Sequence, residues 1–127
     1  DVFWKKNYKK RYLHPMSEAE KVKIDSGGKL TAAGKSLSIK RADAEFIGIL
    51  KLNSKGCKSF KKYYDIAKKN FSKKKFYNAQ NITKAYITDF LNYLVSSNIK
   101  VKCVKIKCGW MEIDTVEDFN KAQKFYN

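Results

Sequence analysis

Gly109-Trp110-Met111-Glu112-Ile113-Asp114-Thr115-Val116-Glu117-Asp118-Phe119 changes its local pattern halfway along, and that change sets the fold class. Residues 110–113 read as a short extended segment leading to Asp114-Thr115. If Glu112, Ile113 and Asp114 are extended, the two carboxylates project to one face, two residues apart. Thr115, with Asp118 three positions on, is a capping-box-like helix start. The helix beyond carries Phe119, Ala122 and Phe125/Tyr126. Two carboxylates beside a helix N-terminus are hard oxygen ligands suited to Mg²⁺. The same residues have a plainer use: Asp114-Thr115 caps the helix, and its dipole favours Glu117 and Asp118 in the first turn. Both readings stand at this point.

Upstream of that segment, Ile99, Val101 and Cys103 alternate with Lys100 and Lys102, as in an edge strand. The phase then slips to Val104, Ile106 and Cys108, which predicts a bulge or a change of exposure. Asn81 can cap a helix over 82–97, with Ile82, Tyr86, Phe90 and Leu94 as its stripe and Ile87, Leu91 and Val95 widening it. Asn53-Ser54 opens another helix reaching Phe71, with Cys57, Phe60, Tyr63/Tyr64 and Ala67 on its apolar face. Residues 44–52 form a continuous apolar run of the kind buried in an α/β sheet. Segments 22–25 and 30–33 read as a hairpin across Ser26-Gly27-Gly28-Lys29, and 36–43 as loop. Trp4, Tyr8 and Tyr12 have helical spacing, and Pro15 disfavours helix at His14, so a short helix is expected to stop near Tyr12. The element order is that of an α/β or α+β fold. With no repeat or linker visible, residues 1–127 are expected to form one unit.

The composition narrows the function classes. The chain has 127 residues and a formal net charge of +16, yet it is 43% hydrophobic and 14% aromatic, which excludes a disordered polycation. No apolar run is long enough to span a bilayer, and the charged, aromatic opening does not read as a signal peptide, so a cytoplasmic setting is expected. Cys57, Cys103 and Cys108 are odd in number and poorly spaced for zinc, and are expected to be reduced and mostly buried. The charge invites a nucleic-acid reading. Of the 28 basic residues, however, only Arg11 and Arg41 are arginine, the residue favoured for phosphate and base recognition. A lysine bias together with many Asn, Ile, Tyr and Phe would follow from an AT-rich genome. Gly34-Lys35-Ser36 lacks the glycine four positions earlier that a P-loop needs. His14 is the single histidine, and nothing singles out partners that would make it a catalytic base.

Trp110-Met111-Glu112-Ile113-Asp114-Thr115-Val116-Glu117-Asp118-Phe119-x-x-Ala122 resembles the C-terminal signature of the sugar-nucleotidyltransferase-like family. Within it, the chain looks most like the cytidylyltransferases acting on phosphocholine or 2-aminoethylphosphonate, including nucleotidyltransferase domains associated with phosphoenolpyruvate mutase. Asp1-x-x-Trp4-x-x-x-Tyr8-x-x-Arg11-x-x-His14-Pro15-x-x-Glu18-Ala19-Glu20-x-Val22 is similar to the segment that follows the family's central metal-binding strand. The segments 44–49 and 86–91 fall in the expected order, so the resemblance runs along essentially the whole chain.

The resemblance implies an α/β, three-layer fold with a mixed sheet, a β-hairpin and three main helices. It implies that Asp114 is a ligand of a catalytic Mg²⁺ with Glu112 beside it, and that Arg11 contacts a phosphate or phosphonate. Glu45 and Asp89 would face the cationic end of the acceptor, with Trp4, Tyr8 or Trp110 offering aromatic faces. The implied partners are an NTP, expected to be CTP, and a small phosphorylated or phosphonate acceptor, with no membrane. One departure matters: the family's Gly-rich nucleotide-binding loop and central Asp have no counterpart in this chain. The expectation is therefore the C-terminal, acceptor-side portion of a nucleotidyltransferase, with the nucleotide-binding half absent. Such a portion is expected to be inactive by itself and to form a homodimer through its exposed edge. The alternatives are a basic nucleic-acid-binding module and a non-catalytic assembly or regulatory domain of the same fold.

Overall fold

The computed structural model describes residues 1–126, with the side chain of Tyr126 outside the described set. The hairpin forms as its turn chemistry dictates. Strands β1 (Lys21–Ile24) and β2 (Leu30–Ala33) pair antiparallel, with Val22 opposite Ala33 and Lys23 opposite Ala32. Asp25 closes the turn by accepting from Lys29 N at 2.8 Å through Oδ1, and Gly28 takes φ +76°, which suits a residue without Cβ. β3 (Ala44–Glu45) joins the other edge of β1, giving the order β2-β1-β3. Every strand pairing among the described residues is antiparallel, so the expected mixed sheet gives way to a three-stranded antiparallel one.

Two extended segments fall short of the strands expected of them. The run 44–52 contributes only Ala44–Glu45 to the sheet. Phe46 N still donates to Glu20 O at 2.8 Å, but Gly48 at φ +80° turns the chain away, and Ile49 is 72% exposed. Apolarity alone did not mark where the ladder ends. The segment 99–103 lies along the free edge of β2, where Leu30 N donates to Val101 O and Cys103 N to Gly28 O, both at 2.9 Å. Among the described residues its registered pairing is an isolated bridge between Lys102 and Lys29. The phase slip that follows is a change of exposure, with Val104 out in solvent.

Among the described residues three α-helices form, as the periodicity predicts. α1 (Ser54–Phe71) starts at Asn53, whose side chain accepts from Gly56 N at 2.8 Å. It buries Ala67 and sets Phe60 edge-on to Phe90, 4.8 Å between ring centroids. Cys57 is exposed, while Cys103 and Cys108 are half-buried, correcting the expectation of mostly buried thiols; all three are free. The helix expected over 82–97 is split. Asn81 caps only a single 3₁₀ turn, Ile82–Lys84, and α2 (Ile87–Ser96) starts afresh. The cause is Asp89, whose Oδ2 accepts from Tyr86 N at 3.1 Å and so rewards an extended Tyr86 in place of a continued helix. Tyr86 consequently leaves the buried stripe, while Ile82, Phe90 and Leu94 remain in it.

α2 docks on the hairpin through Asn92, whose side chain accepts from Ala33 N and donates to Ala33 O, both at 2.8 Å. The main core lies between these layers, with Val22, Leu30, Ala33, Phe76, Phe90 and Leu91 among its buried members. A second, smaller core holds Trp4, Tyr8 and Ala19. It is built by a short 3₁₀ turn, Trp4–Lys6, in place of the expected helix to Tyr12, which is exposed. α3 (Val116–Tyr126) closes the chain and buries Ala122.

Candidate functional site

The start of α3 is organised by Asp118. Its Oδ2 accepts from Thr115 N at 3.0 Å, Thr115 Oγ1 at 2.8 Å and Asp114 N at 3.2 Å, while its own N–H donates to Thr115 Oγ1 at 3.2 Å. That reciprocal pair is the capping box the Thr-x-x-Asp spacing predicts. What the spacing did not reveal is the second use of Asp118. Arg11, buried, donates from Nε to Oδ1 and from Nη2 to Oδ2 at 3.0 Å, a two-pronged pair across 107 residues of sequence. Burial opposes ionisation of Asp118, but the bonds from Arg11 and Thr115 outweigh it and hold the carboxyl down at about 2.

Residues 7–13 are fastened to the same helix from the outside. Glu117 Oε2 accepts from Tyr12 N at 2.8 Å and Leu13 N at 2.9 Å. Lys121 Nζ donates to Asn7 O at 2.7 Å and Lys9 O at 3.1 Å. These bonds carry His14 to Asp114, with Nδ1 to Oδ2 at 2.9 Å, and Arg11 Nη2 stands 3.4 Å from the same oxygen.

The approach to α3, which belongs to no strand, then brings both carboxylates together. One ligand atom each from His14, Glu112 and Asp114 lies within 4.8 Å of the others. Glu112 and Asp114 are exposed and His14 is half-buried; partial desolvation and then the negative charge of Asp114 push the Glu112 carboxyl up. A divalent cation between them would offset both effects. The donor set fits Mg²⁺ through its two carboxylates; imidazole suits softer ions better, and here His14 already orients Asp114. His14 was passed over in sequence because it has no ligand at metal-binding spacing; its partners arrive from the other end of the chain.

The other expected site residues fall in two groups. Tyr8, Arg11 and Glu45 join one network: Tyr8 Oη donates to Glu45 Oε1, and the Arg11 guanidinium carbon lies 5.1 Å from the Tyr8 ring centroid. Trp4 is buried edge-on to Tyr8, with centroids 6.0 Å apart. Burial pushes the Glu45 carboxyl up to about 7, against the bond from Tyr8, which pulls it down. Trp110 and Asp89 are engaged elsewhere. Trp110 Nε1 donates to Asp1 Oδ2 at 3.0 Å, and Asp1 Oδ1 accepts from Cys108 N at 3.1 Å, anchoring the turn before the carboxylate pair. Asp89 is buried at the start of α2, taking bonds from Tyr86 N and from Asn78.

No protein-family model matches the chain, and no solved structure matches it. The chain is similar to the CTP:phosphoglutamine cytidylyltransferase of Campylobacter jejuni subsp. jejuni, with 26% identity over 118 residues. That match takes in 93% of this chain and 45% of the relative, so the chain spans less than half the relative's length. The similarity supports a cytidylyltransferase-like relationship. Among the described residues no helix is long and apolar enough to cross a membrane.

Proposed function

We propose that this chain is the acceptor-side portion of a nucleotidyltransferase that moves CMP from CTP to a small phosphorylated or phosphonate molecule. The observation that carries the reading is the meeting of Glu112, Asp114 and His14 at the start of α3. The similarity to a cytidylyltransferase along 93% of the chain supports it. In the reaction, an oxygen of the acceptor's phosphate or phosphonate attacks the α-phosphorus of CTP, and pyrophosphate leaves.

Glu112 and Asp114 would hold Mg²⁺, which when bound neutralises charge on the phosphate oxygens. The chain's own residues do the positioning. His14 keeps one oxygen of Asp114 turned toward residues 11–14. Arg11 locks Asp118, hence the backbone at Asp114 and Thr115, and its Nη2 faces Asp114 where the acceptor's anionic end would arrive. Glu45 and Tyr8 serve the acceptor's opposite end. The reading sets the reaction in the cytoplasm.

The test is CMP transfer from CTP by a protein that joins this sequence to a nucleotide-binding half. Asp114→Asn is expected to lower turnover at least ~100-fold with little change in folding, since its bond to Arg11 is the weakest of that network. Unchanged turnover would contradict the assignment. The 127-residue chain alone is expected to transfer no CMP, and transfer by it would contradict that part of the reading.

A further inference from the structure

The stretch 51–75 holds ten lysines and a single acid, Asp65, so more than half of the net charge of +16 sits in one fifth of the chain. It takes in the approach to α1, α1 itself and the Lys73-Lys74-Lys75 run. All ten lysines are exposed, and among the described residues none is in an ion pair. A lysine-rich composition raises their number but neither gathers them nor clears the acids away. Helix stability is no reason for them either. Lys58 and Lys62, four apart, repel one another, and the first turn of α1 carries no acid to complement its dipole. An ordinary solvated face intersperses both signs. This one is arranged for a polyanion.

Beside the lysines lies a groove of about 250 Å³, where α1 meets the 3₁₀ turn and the start of α2. Phe60, Ile82 and Phe90 line it, together with Tyr64 and Tyr86, which are 39% and 61% exposed. Tyr64 stands edge-on to Phe90, 5.9 Å between ring centroids. Tyr86 is displayed because Asp89 holds its backbone extended and restarts the helix after it. Lys61 and Lys68 stand three before and four after Tyr64, hence on its side of α1. Exposed rings stack on unpaired bases, and cations beside them take the phosphates. Lysine without arginine holds a backbone and reads no base edge. A duplex keeps its base faces stacked inside, and a lipid surface has no bases to offer. The helix, 18 residues and about 27 Å long, exceeds a single nucleotide.

We propose that α1 and the groove between Tyr64 and Tyr86 form a sequence-independent binding surface for single-stranded nucleic acid. The surface uses none of Arg11, His14, Glu112 or Asp114 and stands apart from the nucleotidyltransferase reading.

The test is a fluorescence-anisotropy titration of the 127-residue chain with a labelled oligothymidylate of about 20 nucleotides and with a duplex of the same length, beside co-sedimentation with phosphatidylserine vesicles. The single strand is expected to bind at least ~5-fold tighter than the duplex, and to lose at least ~10-fold in affinity between about 50 and about 200 mM salt. Tyr86→Ala is expected to weaken binding at least ~5-fold with the salt dependence unchanged. Lys61→Gln combined with Lys68→Gln is expected to weaken it and to flatten the salt dependence. Failure to bind the single strand, duplex binding that is equal or tighter, or a Tyr86→Ala variant that binds like wild type overturns the proposal. Sedimentation with vesicles but no strand binding overturns it in favour of a lipid surface. Should Tyr86→Ala not fold, the strand-against-duplex comparison and the lysine variant decide.

Discussion

Two carboxylates, Glu45 and Asp118, are both nearly inaccessible to solvent, yet their ionisation is shifted in opposite directions. Burial raises Glu45 to about 7 from an ordinary 4.5, so the folded chain holds a proton that the unfolded chain has already released. Stability therefore falls as pH rises from about 4.5 through about 7. Glu45→Gln removes this dependence while keeping an oxygen for Tyr8. At pH 8 the variant is expected to be more stable than wild type by up to about 3 kcal/mol, with the two nearly equal at pH 4, as read by urea unfolding. Asp118, held at about 2 against an ordinary 3.8, contributes stability above the unfolded value and loses it as pH falls through about 2. Asp118→Ala leaves Arg11 buried without its partner and is expected to cost about 3–5 kcal/mol at neutral pH in the same measurement. The local role of Asp118 was legible, because Thr-x-x-Asp is a short-range code. Its pairing with Arg11 was not, because nothing in either residue's neighbourhood points across 107 positions.

At the scale of elements, caps and turns were legible and the ends of apolar runs were not. Asn53, the Asp25–Lys29 turn and Thr115 each act within three or four residues, and each forms as its chemistry dictates. The run 44–52 and the helix expected over 82–97 ended early for reasons that periodicity does not carry. In one, Gly48 adopts a positive φ; in the other, a single carboxylate, Asp89, restarts the helix at its own third position. Gly48→Ala meets nothing within 4 Å and so isolates backbone strain, with an expected loss of about 1 kcal/mol in thermal unfolding. Asn92 shows how an unremarkable helix residue can set the docking of two layers. Asn92→Ala strips a donor and an acceptor from the Ala33 backbone and is expected to cost about 2 kcal/mol by chemical denaturation.

For the molecule as a whole, the site depends on the two ends of the sequence meeting. Residues 7–14 reach the start of α3 through Arg11, Glu117 and Lys121, and only then do His14, Glu112 and Asp114 converge. The carboxylate pair could be read from its i, i+2 spacing; the imidazole could not, since its partners lie about 100 residues away. Among the described residues, His14, Glu112 and Asp114 form the group of His, Cys, Asp and Glu side chains that could hold a metal ion. Mn²⁺, a paramagnetic stand-in for Mg²⁺ that tolerates both carboxylate and imidazole, tests that cluster directly. In a titration of the ¹⁵N-labelled chain, amide signals over residues 11–14 and 110–118 are expected to broaden first, and Asp114→Asn to abolish the effect. Uniform broadening, or a focus elsewhere that survives Asp114→Asn, would contradict the account.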